Sequence, residues 1–336
     1  PLPWLFVEER QEFQQLSQEL RLSSPGGETV DYIVGVYFQI SDFEYEDLTL
    51  LDLGPGTRAA PSKVFVQESE TYAAFVEATW NVSDRLAVTG GLRYSRESKE
   101  ADSVLTAHEL DGSNASAGTI ALLGFFGQFE HTQTAARNES NVTPLLKATY
   151  HFTDDLMAYV TASTGFKGGG FNTEVTEPVG QPFEFEEETA KAFEFGIKST
   201  LLDGAAHLNV ALFKTEFDNL QVSGYDGFAF VVGNAAQATS QGIEFDGMWR
   251  LTEHLTVGGS YSHLDAGFDT YETAPCTVAQ KNSAAGCVVQ DLGGQPLYYA
   301  PENSANLNLS YEISIGSDYS LEFASDVNYS DEFFLQ

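Results

Sequence analysis

Apolar and polar side chains alternate with a period of two along most of this chain. From Leu86 the even positions read Leu86, Val88, Gly90, Leu92 and Tyr94, and the odd ones Arg85, Ala87, Thr89, Gly91 and Arg93. The split recurs at Leu146, Ala148, Tyr150 and Phe152 against Lys147, Thr149 and His151, and at Phe193, Phe195 and Ile197 against Glu194, Gly196 and Lys198. It returns at Ile243 to Leu251 and at Ala305 to Ile313. In a strand the two sets lie on opposite faces.

Between these runs the joints are of two kinds. Tight turns fall at Pro25-Gly26-Gly27, Val82-Ser83-Asp84, Thr153-Asp154-Asp155, Leu202-Asp203-Gly204, Thr252-Glu253-His254 and Gly316-Ser317-Asp318. Longer polar stretches, such as 49–65, 103–136, 169–186 and 270–300, separate the hairpins so formed. About twelve strands are predicted: 11–23, 29–48, 66–81, 85–102, 138–152, 155–168, 187–201, 205–222, 237–251, 254–269, 302–315 and 318–333. In an antiparallel sheet this order puts every tight turn on one edge and every long loop on the other. Outer-membrane barrels are built that way, with short periplasmic turns and long extracellular loops.

A soluble sandwich also alternates, but its strands run about 5–6 residues and nothing sorts its loops onto one edge. The predicted strands exceed the ~9–11 residues that cross a bilayer at a tilt. Trp80, Tyr150, Phe152, Phe166, Trp249 and Tyr329 fall near strand ends, as interfacial aromatic girdles require. Glu19, Arg21, Arg93, Lys147, Glu194, Lys198, Glu244, Asp246, Glu322 and Asp326 oppose the apolar set. So many charges would be costly in a dry core, and fit a wet or plugged lumen. The expected fold is all-β, an antiparallel transmembrane β-barrel spanning residues 1–336.

Composition narrows the function. Sixteen Lys and Arg stand against 49 Asp and Glu, a formal charge of −33. Such a chain repels phosphate backbones, which excludes nucleic acid as a partner. No run of ~18 apolar residues offers a transmembrane helix. The chain opens Pro1-Leu2-Pro3-Trp4, without Met or a basic leader, so its start is expected to lie upstream. Cys276 and Cys287 sit in a loop-like stretch with ten residues between them. They read either as a disulfide, worth roughly 2–3 kcal/mol in the chain-entropy view and formed in an oxidising compartment, or as two free thiols.

Three segments are candidates for chemistry. Lys167-Gly168-Gly169-Gly170-Phe171-Asn172 leaves a strand for a long loop. Its glycines read as a strand end needing positive φ or close backbone approach, or as a ligand contact. A phosphate-cradling role lacks the helix and the Lys-Ser/Thr that it needs. Glu174, Glu177, Glu184, Glu186, Glu187 and Glu188 form an acidic run, read as a solvated loop or a divalent-cation site without calcium-loop spacing. Residues 119–129, with Phe125 and Phe126, are too apolar for an exposed loop. They are expected to fold on the barrel rim or a plug, or to touch a ligand. The six histidines and the Ser and Cys residues make no catalytic set or metal site, so no enzyme, cofactor or metal is expected.

Several stretches resemble the barrel of TonB-dependent outer-membrane receptors. They are Gln11-Glu12-Phe13 with Ser17 to Pro25, Asp31 to Tyr37, Thr161 to Asn172, Phe185 to Lys198, Gly233 to Ala236 with Ser240 to Glu244, and Ala300 to Ala305. The match covers nearly the whole chain in the expected order. Asn303 departs from it, standing where the family more often places an aromatic residue. The resemblance implies a barrel of about 22 strands, of which about twelve are present here. It also implies a plug domain and TonB-contacting box before Pro1, and closing strands after Gln336.

By the same resemblance the protein would be an outer-membrane receptor for TonB-energised uptake of a scarce nutrient, with a ferric siderophore as the commonest cargo. Its partners would be membrane lipid and lipopolysaccharide, its own plug, the TonB complex and a small ligand such as a metal chelate. A passive porin is the alternative. A barrel enzyme would need a catalytic set at the barrel edge.

Overall fold

The computed structural model describes residues 5–52, 54, 58–125, 130–173, 183–225, 230–234, 237–281, 283 and 286–335. Twelve long strands form one antiparallel sheet in chain order. They are β1 (Leu5–Ser23), β2 (Val30–Asp52), β3 (Ser62–Asn81), β4 (Leu86–Thr106), β5 (His131–Thr153) and β6 (Leu156–Lys167). β7 (Glu188–Leu201), β8 (Ala206–Asp218), β9 (Gln237–Arg250), β10 (Leu255–Thr270), β11 (Asn303–Ile315) and β12 (Tyr319–Ser330) follow. Arg58–Ala59 adds a short rung beside β2. The sheet is not closed: β1 and β12 each pair on one side only.

Loop sorting follows the alternating joints. Every strand pair joined by a tight turn meets at one edge, and the connections 53–61, 107–130, 168–187, 219–236 and 271–302 all leave the other. At the Leu202-Asp203-Gly204 turn all three residues take positive φ, the hand that matches two right-twisted strands. The predicted turn-side strand ends fall within two residues of the observed ones, whereas at the loop edge the first five strands run well past their prediction.

Register sorts the two faces. Leu20, Val36, Ala74, Tyr94 and Val142 lie side by side across five strands, as do Leu146, Ala162 and Phe193 across β5 to β7. Leu20, Leu146 and Phe193 are 71%, 59% and 53% exposed, so this apolar face has no protein to cover it. It is the lipid face. On β3 it runs from Tyr72 to Trp80, eight steps of ~3.3 Å that cover about 20 Å of bilayer at a barrel tilt.

The charged set of the sequence reading lies on the other, lumenal face. Arg93 sits over the rings of Tyr37 and Phe75, at 5.7 and 5.6 Å. Tyr159 lies between Lys147 and Lys198, at 5.4 and 5.8 Å, and its hydroxyl donates to Glu194 at 2.5 Å.

The wall is uneven. β1 to β5 run 19 to 23 residues, and β6 to β12 run 12 to 16. The difference lies on the loop side and makes the first half roughly 20 Å taller. Above the apolar belt its outer surface turns acidic. Asp42, Glu68 and Glu100 stand directly opposite one another across three strands, and Glu12 opposes Glu44. Opposed like charges cost stability in a sheet, and water around them limits the cost.

Candidate functional site

β6 ends at Lys167, and the next three glycines turn the chain over the lumenal face of β4 and β5. There Glu97 opposes Glu139, and Lys99 opposes Arg137. Lys99 pairs with Glu97 at 3.0 Å and Arg137 with Glu139 at 2.5 Å. The loop docks onto this square. Gly169 N–H donates to both oxygens of Glu139, at 3.2 and 3.0 Å, and its carbonyl accepts Lys99 Nζ at 2.7 Å. Glu184 and Glu186 then reach Arg137 at 3.3 and 3.0 Å. The Arg137 side chain is only 8% exposed.

Of the two structural reasons for the glycines, the structure selects close approach. None of Gly168, Gly169 and Gly170 has positive φ. A Cβ on Gly168 would overlap the Glu97 carboxylate, one on Gly169 the Phe185 carbonyl, and one on Gly170 would lie 2.7 Å from the Phe185 ring.

Phe171 and Asn172 are buried, at 6% and 4% exposure. Gly170 and Phe171 pair with Phe185 and Glu184 as a two-residue ribbon, and Asn172 N–H donates to the Phe183 carbonyl at 2.8 Å. Phe171 stacks near Phe183 at 5.3 Å, and Phe183 near Phe65 at 6.4 Å. With Tyr45 and Ala101 these rings form a lumenal core. Glu187 accepts Asn141 Nδ2 at 2.7 Å, and Glu188 accepts the Gln221 N–H at 2.8 Å. The described part of the acidic run therefore takes part in docking. Glu174 and Glu177 lie outside the described residues.

The described part of the apolar segment lies in α1 (Ala117–Phe125), a helix where the sequence predicts a loop. Ser116 caps it, its Oγ accepting the Thr119 N–H at 3.2 Å. Glu109 accepts the Thr119 hydroxyl at 2.5 Å and the Ser116 N–H at 3.0 Å, and these two bonds hold its carboxyl below the ordinary range. Leu122 and Leu123 pack on Leu51, Ala59 and Ala107 at the rim. Of Phe125 only the backbone is described, and Phe126 lies outside the described residues.

Cys276 and Cys287 are joined in a disulfide, with Cα atoms 6.0 Å apart. It belongs to loop 271–302, whose core of Phe268, Tyr271 and Ala274 also takes Leu220 and Val222 from the preceding loop. Burial, aided by Tyr298, pushes the Tyr271 hydroxyl up to about 12. Asn303, the departure from the family pattern, accepts the Tyr261 hydroxyl at 2.7 Å and donates to Asp331 at 2.7 Å, which ties β10 to the chain after β12.

Lys99, Arg137, Glu97 and Glu139 were not singled out from the sequence. Glu97, Lys99 and Glu139 fall inside the predicted strands, and Arg137 stands one residue before the strand 138–152. The odd register of Arg93 and Lys147, followed along the two strands, places all four on the lumenal face.

Comparison with known proteins decides the family. The family model for TonB-dependent receptor-like β-barrels matches residues 7–334.

The chain belongs to the TonB-dependent receptors.

Its curated relatives include the pesticin receptor of Yersinia enterocolitica, 28% identical over 74% of this chain and 33% of that protein. The metal-pseudopaline receptor of Pseudomonas aeruginosa is 26% identical over 61% of this chain and 26% of that protein. This receptor chain thus spans about a third of the length of the curated relatives it matches. Among solved structures, the ferric yersiniabactin uptake receptor of Yersinia pestis superposes with a TM-score of 0.74 at 20% identity, over 98% of this chain and 44% of that one. The ferric citrate transporter FecA superposes at 0.61 and 13%, over 98% and 43%. These two likenesses show the fold.

The receptor wall is accordingly an outer-membrane structure, and the apolar face found above is the one that meets lipid. The family is one of transport receptors rather than enzymes. In the receptor frame the Gly-rich motif lies at the extracellular mouth, folded into the lumen. It brings Gly168 to Asn172 together with Lys99, Arg137 and the Phe65 cluster. Neither α1 nor the Cys276–Cys287 loop shares that core.

Proposed function

We propose that the full-length protein takes up a metal chelate, with a ferric siderophore as first choice, and that TonB supplies the energy through a plug domain preceding Pro1. One observation carries the reading. The described residues of loop 168–187, 168–173 and 183–187, fold inward and build a packed, charged surface on the lumenal face. Such a surface can shape a ligand site at the mouth, which a receptor needs. The names of the relatives, a metal-pseudopaline receptor among them, point the same way. The polar lumenal wall, with Arg21, Arg93, Lys147 and Glu194, suits a polar plug. The outer face would meet lipid and lipopolysaccharide.

Within the motif Lys167 is exposed, and we assign ligand contact to it. Gly168 to Asn172 would set its position, and Phe125 and Phe126 would be further ligand contacts. The test is uptake of a radiolabelled ferric siderophore by cells carrying the full-length gene, with and without a working TonB complex. Uptake that stops without TonB supports the proposal. Uptake that continues unchanged assigns a passive channel instead.

A further inference from the structure

Loops 168–187 and 219–236 leave the wall at different places, yet each grips the backbone of the other. Asn172 donates its Nδ2 to the Val232 carbonyl at 2.9 Å and accepts the Val232 N–H on Oδ1 at 2.8 Å. Asn234 answers in the opposite direction. Its Oδ1 accepts the Glu186 N–H at 2.7 Å, and its Nδ2 donates to the Glu186 carbonyl at 2.9 Å. Gln221 adds Nε2 bonds to the carbonyls of Gly168 and Glu186, both at 3.0 Å. Asn219 Nδ2 reaches the Glu187 carbonyl at 2.8 Å.

A carboxamide carries an acceptor and a donor side by side, so it can meet both polar groups of one residue's backbone as a neighbouring strand would. Two such pairs running in opposite directions fix separation and tilt together, which one pair does not. Asn172 is nearly fully buried, so pulling the loops apart strands polar groups on both.

Apart from these bonds the loops rest on different foundations. Loop 168–187 sits on Lys99, Arg137, Glu139 and the Phe65 core. Loop 219–236 is rooted through Leu220 and Val222 in the core around Phe268 and Tyr271. Its Gly224 lies against Pro275 of the disulfide loop.

We infer that Asn172 and Asn234 lock the described parts of these two extracellular loops, 168–173 with 183–187 and 219–225 with 230–234, into one unit, so that neither leaves its place without the other. The two asparagines are positioning residues. The inference goes beyond the uptake reading and requires no ligand, so it stands or falls apart from it.

Hydrogen exchange with mass spectrometry on the full-length protein in detergent tests it. In the native protein, peptides covering 168–172, 183–186, 221–225 and 231–234 exchange through a common opening, at rates within about threefold. In the Asn172→Ala/Asn234→Ala protein the 221–225 and 231–234 peptides exchange about tenfold faster or more. The 168–172 peptide, still held by Glu139, changes less than about threefold. Asn172→Asp keeps the acceptor for the Val232 N–H and loses the donor, so it falls between. Unchanged β8 and β9 peptides certify the wall. Should the double variant fail to assemble, Asn234→Ala alone must raise exchange in 183–186. Different opening rates for the two loops in the native protein, or a double or Asn234→Ala variant with native protection, overturn the inference.

Discussion

Gly169 and Arg137 are in contact so close that a methyl group on the glycine would lie 2.6 Å from the guanidinium Nη2. The Phe185 carbonyl crowds the same position, and as backbone it cannot swing aside. Gly169→Ala should therefore lift loop 168–187, at a cost of about 1–3 kcal/mol in docking. Faster protease nicking of the loop is the expected readout. Gly165→Ala, at a position with no atom within 4 Å of its Cβ, is the matched control and should change nothing.

Arg137 balances three carboxylates. Replacing it with Gln leaves Glu139, Glu184 and Glu186 facing one another. Removing one partner of a fully buried pair costs ~3–5 kcal/mol, but Glu186 is 69% exposed and its share is screened. A loss on the order of 2 kcal/mol in loop docking is expected. Salt separates charge from packing. Loop opening should rise with ionic strength in the native protein. In Arg137→Gln, raising salt should relieve the repulsion among the acids and reduce opening.

Two groups outside the wall strands predict opposite pH limits. The folded-state value of Tyr271 is raised to about 12 from an ordinary 10, so its neutral form is favoured in the loop core. Its contribution is present below pH 10 and lost as pH rises towards 12. Tyrosinate absorbance and loop 271–302 protection should change together in that interval, and Tyr271→Phe should remove the coupling.

Glu109 has the reverse sign. Its folded-state value is lowered from 4.5, chiefly by the Thr119 hydroxyl and then by the Ser116 N–H. The clasp it makes at the start of α1 is present above pH 4.5 and lost as the pH falls through the depressed value. Glu109→Gln should loosen the helix at neutral pH, and exchange of the α1 amides should cease to depend on acid.

Assignment of the two faces has its own test. Leu146→Arg puts a charge on the lipid face, where Arg near the bilayer midplane costs ~2–4 kcal/mol. Thr161→Arg, on the lumenal face opposite Lys147, should be far milder. Guanidine unfolding of the full-length protein in bilayers reads both. Equal losses would overturn the face assignment, and a larger loss for Thr161→Arg would reverse it.

Strand number, order and orientation were legible because lipid demands an apolar face and water or a plug tolerates a polar one. The signal fails where that contrast fails. Above the belt β2 carries Asp42, Glu44 and Glu46 outward and Phe43 and Tyr45 inward, so the apolar set changes face and the lipid-facing signal is lost. Strands β1 to β5 therefore ran four to seven residues past their predicted loop-side ends. The mouth was harder still. Its glycines announced themselves, but Lys99 and Arg137 became visible only through register across strands. Asn172 and Asn234 are 62 residues apart in sequence, and no periodicity relates them.

The unequal height of these twelve strands makes the loop-side edge of this stretch of wall oblique. Anything arriving from outside meets a tall parapet along β1 to β5, faced on its outer side by the carboxylate row of Asp42, Glu68 and Glu100. That facing turns polyanions away, and the sill over β6 to β12 stands lower. The two loops that Asn172 and Asn234 hold together both rise from that lower stretch.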